Sequence, residues 1–98
     1  MKVAGFDWDE GNWPKCAKHG MTKSEIEEVF RLGPVVLPDR MPLTDETRFN
    51  AVGKTLAGRF AFVVFTQRSH GGVVLIRPIS ARFMHRKEIE TYERQKEI

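Results

Sequence analysis

The run Phe60-Ala61-Phe62-Val63-Val64-Phe65 constrains the fold more than any other segment of the chain. Side chains of a strand alternate between two faces, and here both sets are apolar. The strand must therefore lie inside a sheet, with material packed on each side. Its neighbours follow from the separators. Leu56-Ala57-Gly58 and Ser69-His70-Gly71 have the length of hairpin loops and carry glycine where a positive φ is needed. They divide this region into three adjacent antiparallel strands at 47–55, 59–68 and 72–80. A further strand, Val35-Val36-Leu37, precedes them across a polar loop at 39–46. Pro78 stands within the last strand, and because proline donates no hydrogen bond it implies an edge position or a bulge there.

The flanks read as helical. Thr22 and Glu25 form a capping box, Met21 and Ile26 are placed for a hydrophobic staple, and Gly33-Pro34 closes the far end, which predicts a helix over 23–32. Ile26, Val29 and Phe30 recur at helical spacing as its buried stripe, leaving Glu25, Glu27 and Glu28 toward solvent. Ahead of it, residues 1–8 carry a weak strand pattern and Asp9 to Asn12 a turn. Asn12 is placed to cap a short helix at 13–19 that Gly20 ends. A last helix over 84–96 turns Ile89 and Tyr92 toward the sheet. The expected fold class is α+β, with helices packed on an antiparallel sheet, as a single domain over 1–98.

Charge is divided unevenly along this pattern. Residues 1–47 hold six Lys/Arg against nine Asp/Glu, whereas residues 48–98 hold ten against four. Between Arg48 and Lys87 there are eight basic residues and no carboxylate. Surfaces normally mix signs, so a block of one sign points to a polyanion, and RNA is the candidate. No apolar run approaches the roughly 20 residues that cross a bilayer, so no membrane association and a cytoplasmic location are expected. The single cysteine, Cys16, forms no internal disulfide, and no Cys/His set has zinc spacing. Neither a metal nor a cofactor is expected.

Three clusters could carry chemistry. Arg77-Pro78-Ile79-Ser80-Ala81-Arg82 joins the last strand to the terminal helix, and guanidinium forks match phosphate oxygens and stabilise the charge that gathers on a scissile phosphate. The competing reading pairs Arg77 and Arg82 with Glu88 or Glu90 to lock the helix onto the sheet. In Met84-His85-Arg86-Lys87-Glu88, His85 is a candidate general base, with Glu88 or Tyr92 as a proton-transfer partner; a surface His and a core Tyr are the plain alternative. Lys18-His19-Gly20 reaches the same phosphate only if its segment folds over the basic sheet. Otherwise it is helix-end electrostatics. Asp7 and Asp9 make a poor metal pair, and turn capping explains Asp9.

In order, Phe6-Asp7-Trp8-Asp9, Lys18-His19-Gly20, the glutamate-rich helix ending in Val29-Phe30, Arg48-Phe49-Asn50-Ala51-Val52-Gly53-Lys54-Thr55, Gly58-Arg59, Phe65-Thr66-Gln67-Arg68, Ile79-Ser80-Ala81-Arg82 and Glu88 with Tyr92-Glu93 resemble the BrnT toxins over about residues 5 to 94. The resemblance implies a RelE-like fold and a small, metal-independent ribonuclease that inhibits translation. It also implies neutralisation by a ribbon-helix-helix antitoxin of BrnA type, a hetero-oligomer with that antitoxin, and contact with operator DNA only through it. By the same resemblance Lys18, His19, Arg68, Arg82, Glu88 and Tyr92 occupy motif positions.

Together these readings give an endoribonuclease with Arg82, Arg77, Arg68, His19, His85, Glu88 and Tyr92 as catalytic candidates. Lys18, Arg59, Lys54 and Arg86 are the RNA-binding candidates. The alternative is a basic RNA- or protein-binding module that does not cut.

Overall fold

A computed structural model describes residues 3–39 and 47–96. Most of the polar loop expected at 39–46, and the first two residues of the strand expected at 1–8, lie outside them. The elements run as a 3-10 helix (Lys15–His19), α1 (Lys23–Arg31), β1 (Val35–Pro38), β2 (Phe49–Lys54), β3 (Phe60–His70), β4 (Val73–Phe83) and α2 (Arg86–Lys96). The four strands form one antiparallel sheet in chain order, flanked by one N-terminal and one C-terminal α-helix. The fold is therefore α+β.

α1 begins where the capping box says it should. Thr22 Oγ1 accepts the Glu25 N–H at 3.1 Å, and Glu25 Oε1 accepts the Thr22 N–H at 2.9 Å. Its stripe of Ile26, Val29 and Phe30 is fully buried against Ala51, Ala61, Val63, Phe65 and Ala81 on the inner face of the sheet. Phe30 meets Phe65 edge-on at 4.9 Å between centroids, and Phe49 stacks on Phe65 at 5.4 Å. The approach is close: a side chain at Gly53 would meet Pro34 and Val29 at 3.2–3.3 Å. The glutamates of α1 do more than face solvent. Glu27 accepts the Trp8 indole N–H at 2.8 Å, and Glu28 accepts the Leu56 N–H at 2.9 Å.

β3 lies between β2 and β4, as its two apolar faces require, with Phe60, Phe62 and Val64 half-buried on the outer face. There the α2 ring of Tyr92 stands edge-on to Phe60 at 5.9 Å. The β3–β4 hairpin turns on Gly71 and Gly72, with φ of +56° and +83°, so His70 ends a strand rather than occupying the loop. A two-residue turn with both φ positive matches the twist of the paired strands. β4 is an edge strand, and it is bulged beside its proline. Phe65 pairs with Pro78 and Val64 with Ser80, which leaves Ile79 without a partner residue. The opposite edge, β1, is exposed along its whole length, Val35, Val36 and Leu37 included.

Two N-terminal expectations need correction. Residues 3–8 form no strand; Phe6 makes only an isolated parallel bridge to Ile76, held by Asp7 N–H to Ile76 O at 2.8 Å and Ile76 N–H to Gly5 O at 3.1 Å. Asn12 caps no helix with its side chain. It is buried, donating from Nδ2 to the carbonyls of Asp7 and Pro78 at 2.9 Å each and accepting the Asp9 N–H at 2.8 Å. One amide thus satisfies three backbone groups from two segments, which outweighs a single capping bond. The 3-10 helix that follows buries Cys16 and packs on β4, ending at Gly20 with φ +91°.

Candidate active site

Where β4 gives way to α2, the chain folds a recess of about 360 Å³ lined by His19, Arg59, Arg82, Phe83, Met84 and His85. Each side chain arrives by a separate route. The 3-10 helix, packed along β4, carries His19 at its last residue. Arg59 sits at the β2–β3 turn, whose Gly58 takes φ +82°. Arg82 lies next to the end of β4, opposite Phe62 of β3. His85 starts α2, its carbonyl accepting the Ile89 N–H at 3.0 Å.

Arg82 is held from one side by Glu88. Its Nη1 and Nη2 donate to Glu88 Oε1 and Oε2 at 2.7 and 2.8 Å, a two-point carboxylate pair. Glu88 Oε1 also accepts the His85 N–H at 2.9 Å, so one carboxylate caps α2 and clamps the arginine. The Arg82 hydrogen bonds, then the His85 amide, hold the Glu88 carboxyl down at about 2, and Glu88 in turn raises the Arg82 guanidinium. Arg82 also lies over the Phe62 ring at 5.1 Å, and Arg59 over Phe83 at 3.5 Å. A guanidinium has five N–H donors, and the Glu88 pair uses two of them. Of the other three, Nε–H and the second Nη2–H share the edge that a single anion can bridge.

Of the catalytic candidates, the recess therefore assembles His19, Arg82 and His85, with Glu88 behind Arg82, and it adds Arg59 from the RNA-binding set. It does not include Arg68, Arg77 or Tyr92. Arg77 is taken up instead by the N-terminal segment: it donates to Asp9 at 2.9 and 3.0 Å and to Asp7 at 3.3 Å, with only 13% of its side chain exposed. Its partners are Asp7 and Asp9, not Glu88 or Glu90. Asp9 also accepts the Gly11 N–H at 2.7 Å, and chiefly Arg77 lowers its carboxyl while Asp9 raises the Arg77 guanidinium. Tyr92 packs on Phe60 away from the recess, and Lys54 lies over the same Phe60 ring at 4.8 Å. Arg86 pairs with Glu90 at 3.4 Å in open solvent, and Lys18 is exposed on the 3-10 helix without lining the recess.

A second basic recess, of about 280 Å³, lies farther back along β4 and is lined by Gly11, Asn12, Lys15, Arg48, Arg68, Arg77 and Ile79. Lys15 and Arg48 gave no sign of this recess in the sequence, because the lie of the 3-10 helix along β4 brings Lys15 to Arg77, and the register of β2 on β3 brings Arg48 there. Phe83 and Met84 were likewise missed, since apolar residues at a strand end carry no chemical signal. Among the described residues no group of three His, Cys, Asp or Glu side chains is gathered as a metal ion would need. None of the described helices is long and apolar enough to cross a membrane.

The family model described as "Ribonuclease toxin, BrnT, of type II toxin-antitoxin system" matches residues 8–88, a stretch that contains every residue of the first recess and Glu88. Comparison with curated proteins gives no match.

Proposed function

The chain belongs to the BrnT family, the ribonuclease toxins of type II toxin-antitoxin systems, and on that premise we propose that RNA is cut in the recess of His19, Arg59, Arg82 and His85. The carrying observation is the pairing of two imidazoles with two guanidinium groups around one opening. A scissile phosphate seated on the outward N–H groups of Arg82 and on Arg59 has its developing charge stabilised by fixed donors. The ribose 2′-oxygen attacks phosphorus, and one imidazole takes the hydroxyl proton as the O2′–P bond forms. The P–O5′ bond breaks, and the other imidazole gives its proton to the departing 5′-oxygen. The products are a 2′,3′-cyclic phosphate and a 5′-hydroxyl. This route needs placed charge and two proton carriers and no metal.

Glu88 acts as a positioning residue in this reading: it engages the Arg82 fork and so fixes the guanidinium in the wall of the opening, with the N–H groups it does not use left for the phosphate. Loss of messenger RNA would make the toxin an inhibitor of translation, acting in the cytoplasm. Its antitoxin is proposed to be of the BrnA ribbon-helix-helix type, the partner through which the complex meets operator DNA.

The test is expression without the antitoxin, followed by mapping of RNA ends for the parent and for Arg82→Ala. New 5′-hydroxyl and 2′,3′-cyclic phosphate ends in the parent alone support the proposal. Intact RNA in cells containing folded parent protein would sink it and favour a module that binds without cutting.

A further inference from the structure

The 3-10 helix has a basic recess at each end. His19, its last residue, lines the opening with Arg59, Arg82 and His85, and Lys15, its first, lines the recess with Arg48, Arg68 and Arg77. The two recesses are spaced along one strand pair. Arg82 and Arg77 stand opposite Phe62 and Thr66, four residues apart on β3, a separation of about 13 Å at roughly 3.3 Å per residue.

Within the rear recess Lys15 and Arg48 find no carboxylate partner among the described residues. Arg77 is matched by Asp7 and Asp9. The Nε of Arg48 is buried, with no hydrogen-bond partner among the described residues. A buried guanidinium N–H without an acceptor costs free energy unless an anion or water supplies one. Among the described residues no carboxylate lines this recess. The donor chemistry fits a phosphate oxygen.

We propose that the recess of Lys15, Arg48 and Arg77 is a second phosphate subsite, holding a backbone phosphate of the same RNA strand whose scissile bond lies at Arg82. The inference rests on the cleavage reading above and extends it to substrate length. About 13 Å spans roughly four steps of a strand stacked at 3.4 Å each, and fewer if the strand is drawn out. A substrate of two or three nucleotides reaches only the first recess. A longer single strand engages both, with the 3-10 helix lying beneath it.

The test uses 2′-O-methyl oligonucleotides, which lack the attacking hydroxyl, as a trinucleotide and an octanucleotide titrated onto the folded chain. The parent should bind the octamer more tightly than the trimer. Lys15→Gln and Arg48→Gln should each weaken the octamer about three- to tenfold and flatten its salt dependence by about 0.7 in log–log slope, leaving the trimer unchanged. Arg82→Ala should weaken both. Lys15 is exposed, so its variant carries the test if Arg48→Gln folds poorly.

The inference is overturned if both variants leave octamer affinity and salt slope at parent values while Arg82→Ala weakens binding. It is overturned equally if they weaken trimer and octamer alike, since the two recesses would then be one site. Unchanged octamer binding with weakened antitoxin binding would assign the recess to the protein partner instead. In each of these outcomes the cleavage reading stands. If neither oligonucleotide binds the folded parent, that reading falls with it.

Discussion

Arg82 and Glu88 close a two-point pair of 2.7 and 2.8 Å across the turn from β4 to α2. The same carboxylate accepts the His85 amide, so the arginine at the strand end, the histidine at the helix start and the direction of α2 are fixed as a unit. A change at any one of the three is felt by the others.

Acid should release that unit. Glu88 has its carboxyl held at about 2 in the folded chain, against 4.5 without these partners. A depressed carboxylate stabilises the fold fully above its unfolded value, and the contribution is lost as pH falls through the folded value. Glu88→Gln should therefore be less stable than the parent at pH 7 by a margin that holds down to about pH 4.5 and closes toward pH 2. Urea denaturation of both chains across that range checks it. A margin that does not change with pH would show that packing, not charge, made the difference.

Removing the guanidinium should cost catalysis more than folding. Arg82→Ala is expected to lower cleavage by about 10²–10³-fold, the usual loss when one placed donor of a charged transition state is deleted. His19→Ala and His85→Ala should each cost about 10²–10⁴-fold, and each should remove one limb of a bell-shaped pH–rate curve. Single-turnover rates on a defined RNA, with circular dichroism to confirm the fold, separate these outcomes.

Arg77→Ala should behave in the opposite sense. It leaves Asp7 and Asp9 without their shared partner and should lower the urea midpoint of the chain. The amides that tie residues 5–13 to β4 should exchange faster with solvent. Cleavage of a trinucleotide should stay within a few-fold of the parent, because Arg77 lies outside the recess of Arg82.

Phe30 carries the contact between α1 and the sheet. It is fully buried and meets Phe65 and Phe6 edge-on at 4.9 and 5.8 Å. Phe30→Ala should cost about 3–5 kcal/mol, seen as a drop in the urea midpoint with little change in slope.

The parts of this fold legible in the sequence are those governed by short-range rules. Thr22 and Glu25 announce α1 because a capping box needs only residues three apart. β3 declares its central place because both of its faces are apolar. Pro78 signals an edge or bulge because its missing donor is a local fact. What stayed hidden depends on distant partners. Nothing near Asn12 says that its amide will bond the Pro78 carbonyl rather than a helix end, and nothing near Asp9 says that it will hold Arg77. The candidate site divides in the same way. His85, Glu88 and Arg82 lie within seven residues and were visible as a cluster, whereas Arg59, Lys15 and Arg48 join theirs only through sheet register and the path of the 3-10 helix.

The unpartnered Ile79 has a consequence for how this strand tolerates change in length. Arg77 and Arg82 are an odd number of residues apart, which in an unbroken strand would point them to opposite sides. The extra residue shifts the alternation by one, so that both stand opposite residues of like parity on β3, Thr66 and Phe62. A chain lacking Ile79 would lose the bulge and keep the alternation: Ser80 would follow Pro78 directly, Arg77 and Arg82 would be four positions apart, and both would stay on the side of Ser80, with Pro78 and Ala81 still turned to the core. The bulge is therefore a place where one codon could be lost in frame without turning over either end of the strand. The loss of one residue from the regular part of β4 would not be absorbed in this way.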